Sequence, residues 1–221
     1  MKYNKLIIST IVLVLIFTAC RREWLPTEED MANYGWTLFE QATTKKEYKE
    51  CYDWFSNSVR EDENYQDGYN GMGWALGKMV ELDSAVQAFE MGLTKPHNPR
   101  MLDIVAHDIL AGLTFAHSAL KHDSSVVHYG DSLIGLLEQQ IGDKTWIFPH
   151  DSTSNYLDVH VTLALSYFVL SDFTESLEHV QAIWAALNPT SAQFVVNTNT
   201  IVGRNQLAAE IERLQDELRG S

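Results

Sequence analysis

Residues 69–93 read YNGMGWALGKMVELDSAVQAFEMGL. Small residues at Gly73, Ala85 and Gly92 alternate there with bulky apolar residues at Met72, Leu76, Leu82 and Phe89. Two helices approach closely only where one presents Gly or Ala and a neighbouring large side chain fills the hole. The stretch therefore predicts a tightly packed helical hairpin. The same pattern stands upstream, with Tyr48, Cys51, Phe55 and Ser58 aligning with Leu82, Ala85, Phe89 and Gly92 at one constant interval. At that interval Gly-Trp-Thr-Leu-Phe-Glu at 35–40 aligns with Tyr-Asn-Gly-Met-Gly-Trp at 69–74.

A further copy covers Val159–Pro189, where Leu163, Ala164, Tyr167, Phe173, Ser176, Leu177, Val180 and Ile183 take corresponding places. Between the copies, Asp103–Leu137 has the apolar spacing of two helices but a blurred signature, with Gly112, Ala116 and Ser125 out of clean register. The period of 34 and the alternation of small and large residues resemble the tetratricopeptide repeat. That resemblance implies an all-α, right-handed solenoid of about four helix pairs plus a C-terminal capping helix. The expected division is two repeats over 28–99, a degenerate third over 100–153 with a loop at 142–155, a further repeat over 154–189, and a cap over 200–219.

Local signals agree with this division. Thr27 with Asp30 forms a capping pattern, Pro99 suits a first helical turn, Ser154 or Asn155 can cap the seventh helix, and Pro189 ends the last pair. Leu207, Ile211, Leu214 and Leu218 form one helical stripe, which suits either the closing cap of a solenoid or a short coiled-coil contact. Residues 190–199 carry the apolar patch Phe194-Val195-Val196 and are left without an assigned conformation.

The opening stretch, MKYNKLIISTIVLVLIFTAC, combines a positive start at Lys2 and Lys5 with an apolar run from Leu6 to Phe17. This is the pattern of a cleaved signal peptide over 1–19, with a short tether at 20–27. Phe17-Thr18-Ala19-Cys20 resembles a bacterial lipobox, although Phe17 departs from the usual leucine. The resemblance implies lipidation of Cys20 and a palmitate-type anchor to a membrane that the chain does not cross. Arg21 and Arg22 after the cysteine point to the outer membrane, facing the periplasm.

The whole chain has 221 residues, 16 Lys and Arg against 30 Asp and Glu, and a net charge of −14. Such a field excludes nucleic acid as a partner and favours a neutral or basic polypeptide. With Cys51 the one cysteine besides Cys20, no internal disulfide framework is expected and stability must come from packing.

In tetratricopeptide proteins the first helix of each pair lines a concave groove that holds the partner. Carrying those offsets onto this chain gives Asn33, Trp36, Glu40, Asp67, Asn70 and Trp74 as groove residues, then Leu165 and Phe168. In the blurred third repeat His107, Leu110, Thr114 and His117 are candidates. Trp36 and Trp74 admit two readings: partner anchors in the groove, or filler in the seam between repeats. The basic clamp that some tetratricopeptide domains use to grip acidic tails is absent, since Trp36, Glu40 and Gly71 stand at its positions. Trp146-Ile147-Phe148-Pro149 interrupts the polar loop, making Trp146 and Phe148 either a functional insertion or a plug folded over the third hairpin.

Catalytic patterns do not assemble. Gly130-Asp131-Ser132-Leu133 spells the block of the GDSL esterases, but the chain has no Asp-x-x-His to supply a base and the block lies in a helical pattern. His117, His122 and His128 are close in sequence without metal-ligand spacing. The expectation is a non-enzymatic adaptor without metal or cofactor that holds a protein partner. The alternative is a binding protein for a small molecule or glycan stacked on the groove tryptophans.

Overall fold

The computed structural model describes residues 25–96, 104–140 and 144–220. The signal sequence, Cys20, the first part of the tether, Pro99 and Gly142 lie outside the described residues. Among the described residues the chain forms α1 Glu28–Phe39, α2 Lys45–Glu61, α3 Gln66–Lys78, α4 Leu82–Leu93, α5 Ile104–Ala119, α6 Asp123–Gln139, α7 Tyr156–Val169, α8 Phe173–Leu187 and α9 Ile201–Gly220. Extended pairing is confined there to one antiparallel bridge between Ile147 and Asn155.

The helix starts follow local chemistry. Thr27 with Asp30, Thr44 with Glu47, and Asn155 with Asp158 each form a capping box, in which the cap side chain accepts a backbone N–H and the later carboxylate answers. Three of the four hairpins turn through a residue in the left-handed region, Val80, Lys121 and Ser171. These equivalent points mark the true repeat lengths of the later pairs, both longer than the interval between Phe55 and Phe89.

Successive helices pack pairwise, α1 on α2, α3 on α4, α5 on α6 and α7 on α8. The first helices α1, α3, α5 and α7 also touch their counterparts in the next pair, whereas α2, α4, α6 and α8 do not touch one another. An inner layer of touching helices and an outer layer of separated ones curve the stack, with the first helices on the inside. Helix α9 lies against α7 and α8, burying Leu207, Ile211 and Leu214 in a second core with Val161, Ala164, Val180 and Ile183. It stands where the first helix of a fifth pair would stand, with its apolar stripe spent on covering the fourth pair. Phe194 and Val196 also pack on this core while Val195 stays exposed.

Glycine and phenylalanine set the spacing of the stack. A Cβ on Gly35 or Gly71 would fall 2.8 or 2.3 Å from the Phe55 ring, and one on Gly73 or Gly112 would fall 2.5 or 2.3 Å from Phe89. Each phenylalanine of a second helix is thus a knob held between a glycine of its own first helix and a glycine of the next. At the third pair the roles reverse: Gly130 stands where Phe89 stands one repeat earlier, and Leu163 of α7 fills it at 2.7 Å. That exchange of knob and hole is why the third signature looks blurred.

The interval that aligns Phe55 with Phe89 is correct for the second helices and wrong for the first ones. Gly35 does in the first pair what Gly73, not Tyr69, does in the second, so Trp36 is equivalent to Trp74 and Glu40 to Lys78. The offset amounts to about one helical turn. It arises because the first connection, 40–44, is longer than the second, 79–81, and α2 starts earlier relative to Cys51 than α4 does relative to Ala85.

Candidate functional site: a groove filled by the chain itself

The inner face of α1, α3 and α5 carries the predicted tryptophans, and neither is open. Trp36 is 4% and Trp74 8% exposed. Segment 144–155, between α6 and α7, crosses this face. Its side chains alternate as an extended chain requires: Trp146 and Phe148 are buried, His150 is half-buried, and Thr145, Ile147 and Pro149 are exposed. A short loop of backbone bonds holds it, Phe148 N–H to Ser154 O at 2.9 Å and Tyr156 N–H to Trp146 O at 2.8 Å.

Phe148 is fully buried and stacks on Trp74 with ring centroids 4.0 Å apart and planes 18° off parallel. It meets Trp36 and Phe39 edge-on at 5.9 and 6.2 Å. His150 lies flat on Trp36 at 3.9 Å and 2°, and its Nδ1 is 2.9 Å from Glu40 Oε1. Asp151 pairs with Lys78 Nζ at 2.7 Å. Because Glu40 and Lys78 are equivalent positions, two successive repeats grip two successive residues of the segment at the rim.

Beneath the rings lies a buried polar layer. Trp36 Nε1 donates to Asp67 Oδ2 at 2.8 Å, and Trp146 Nε1 donates to Asp108 Oδ1 at 2.8 Å. Asp67 and Asp108 stand as far apart in the chain as the turn residues Val80 and Lys121, so they are the same repeat position used twice. Asn70 Nδ2 donates to Asp67 Oδ1 at 3.1 Å. Burial raises both carboxyl pKa values, that of Asp108 to about 8, against the opposing effect of the indole donors. The upward direction follows from the cost of placing two charges at this depth on neighbouring helices.

Trp36 and Trp74 each pack on the phenylalanine of their own pair, as filler would, and their remaining faces are covered by the chain's own segment rather than left open on the groove. Asn70 is fully buried in the polar layer and Glu40 is at the rim. Trp146 and Phe148 form a plug, but its target is the inner face of the first three pairs rather than the third hairpin alone. His117 is buried, with Nδ1 3.4 Å from His122 Nδ1 and its ring stacked on Tyr129. Phe168 is half-buried against Phe173 in the C-terminal core, away from the segment. Asp108, Lys78, His150 and Asp151 were not singled out from sequence. None of them had a legible signal, since the spacing of Asp108 from Asp67 departs from the period of 34 and matches only the interval between the turns at Val80 and Lys121.

Ser132, in the esterase-like block, bonds back to His128 O at 2.6 Å within α6. Asp131 accepts from Tyr167 Oη at 2.5 Å and lies 3.8 Å from His179 Nε2. His179 and His160 face each other with Nδ1 atoms 2.9 Å apart, and burial lowers both pKa values to about 4. Among the described residues no group of three His, Cys, Asp or Glu side chains converges on a metal-sized space.

No family model and no curated protein matches the chain. Among solved structures, the MamA RS-1 ArsTM double mutant superposes with a TM-score of 0.53 at 11% identity, covering 87% of this chain and 98% of that one. The fold is a tetratricopeptide-like solenoid. No described helix is long and apolar enough to cross a membrane.

Proposed function

We propose that this protein is a cell-envelope scaffold, anchored to a membrane by lipid on Cys20, that binds a protein partner along the face of α1, α3 and α5. The observation that carries the reading is that this face already receives an extended stretch of polypeptide, through aromatic rings, indole N–H groups and rim polar pairs. Repeat solenoids present such surfaces because each repeat offers the same positions again. The excess of acidic residues favours a neutral or basic partner. The charged and apolar order of residues 1–20 supports the anchor, and Arg21-Arg22 supports the outer membrane, periplasmic side.

The glycan or small-molecule alternative relied on free tryptophan faces, which His150 and Phe148 cover. A soluble fragment from residue 21 onward, used as bait with envelope extract and set against a thermal-shift screen of small molecules, separates the two. The scaffold reading expects a stoichiometric protein partner. Stabilisation by a small molecule with no protein partner overturns it. Labelled palmitate entering the full chain but not Cys20→Ser tests the anchor.

A further inference from the structure

We infer that the groove recognises an extended peptide with aromatic side chains on alternate residues, and that segment 145–151 is a resident competitor which such a peptide displaces. The inference rests on the scaffold reading and names the chemistry of its partner. The segment itself is the template. Its inward residues are Trp146, Phe148 and His150, each met by a group belonging to a different inner helix: Asp108 on α5, Trp74 on α3 and Trp36 on α1. The backbone bonds of Trp146, Phe148 and Asp151 run within the segment and to the first residue of α7, while side chains make the grip on α1, α3 and α5. Recognition is therefore by side chains at alternate positions, which a peptide in trans can reproduce.

The inner helices also offer apolar space that no residue of the segment lines. Beside Trp74 an apolar cavity of about 210 Å³ remains, lined by Gly73, Gly77, Phe89, Gly112 and Phe115. A Cβ on Gly77 would meet nothing within 4 Å, so neither packing nor backbone geometry requires a glycine there. Trp74 Nε1 is buried without a hydrogen-bond partner among the described residues. A partner placing one more apolar side chain in this cavity gains about tenfold in affinity over the resident segment. At the rim Glu40 and Lys78 each take a group of opposite sign, while the chain's 30 Asp and Glu against 16 Lys and Arg favour a neutral or basic peptide as a whole.

A fluorescent peptide matching residues 144–153 tests this by polarisation titration against three full-length proteins. The wild type binds weakest, because the resident segment keeps most molecules closed and apparent affinity scales with the open fraction. His150→Ala/Asp151→Ala, the rim variant, which removes the half-buried stack on Trp36 and the rim pairs but leaves Trp146 and Phe148 in place, raises affinity roughly three- to tenfold. Trp146→Ala/Phe148→Ala raises it further, and a peptide with alanine at both aromatic positions binds none of the three. Equal binding to all three proteins overturns the inference. So does absence of binding to the rim variant while its helicity and melting match the wild type. A partner captured by the scaffold assay but not competed by saturating peptide sinks this inference and leaves the scaffold standing; the expected titrations without any captured partner do the reverse.

Discussion

Phe148→Ala removes the deepest contact of the segment. The ring is fully buried, stacked on Trp74 and in contact with Trp36, Phe39, Trp146 and His150. A buried phenylalanine truncated to alanine costs about 3–5 kcal/mol, with the well-oriented aromatic pairs at the upper end. That figure is a ceiling here. The segment is one displaceable element, so the loss of native stability stops at its docking free energy, after which it leaves the groove and the helices remain paired. Urea unfolding should show a lower midpoint, and thermal melts a fall of about 2–4 °C per kcal/mol lost. The diagnostic is spectroscopic: tryptophan emission shifts red under native conditions, because Trp36, Trp74 and Trp146 meet water, while far-ultraviolet helicity is unchanged. A midpoint shift worth less than about 1 kcal/mol with unaltered emission would refute the packing described here.

Three further outcomes follow from the same geometry. Gly112→Ala and Gly73→Ala drive a Cβ into the Phe89 ring and should each destabilise by about 1–3 kcal/mol, whereas Gly77→Ala meets open space and should stabilise by about 0.5–1 kcal/mol; chemical denaturation of the three compares them directly. Val80 holds φ 62, where a β-branched residue is strained, and is exposed, so Val80→Gly should raise stability by about 0.5–1 kcal/mol in the same assay. Asp108 is raised from 3.8 to about 8, so its contribution is whole below pH 3.8 and is lost progressively as pH rises through 8; His160 and His179, lowered from 6.5 to about 4, contribute fully above pH 6.5 and lose it as pH falls towards 4. Between pH 6.5 and 8 His160 and His179 have finished titrating and Asp108 has not, so stability should decline there, and Asp108→Asn, which keeps an acceptor for the Trp146 indole, should make that limb shallower in denaturation midpoints measured across pH, the like-signed contribution of Asp67 remaining.

The stack was legible because its determinants are local and repeat. Phe55 and Phe89 carry the period, and the helical stripe on α9 was legible from spacing, although only its packing on α7 and α8 tells what it covers. The register of the first helices was not legible, because connection length shifts it by a turn and both alignments put an aromatic or small residue on the inner face. The third repeat was obscured by a single exchange, with Gly130 and Leu163 swapping the roles of hole and knob. The apolar quartet suggests a plug, but the face it fills lies beyond sequence patterning. Trp36 in α1 meets His150 from beyond α6, and nothing local to either residue encodes that contact. What sequence does show is the raw material: Trp146-Ile147-Phe148-Pro149 set in a polar loop.

Hydrogen exchange at single-amide resolution tests most directly whether the segment is docked yet separately displaceable. The amides of Phe148 and Tyr156, bonded within the loop, should exchange well below the intrinsic rate but faster than the central amides of α3 and α5. Exchange at the intrinsic rate would show that the groove is not filled, and exchange only with global unfolding would show that nothing can displace what fills it.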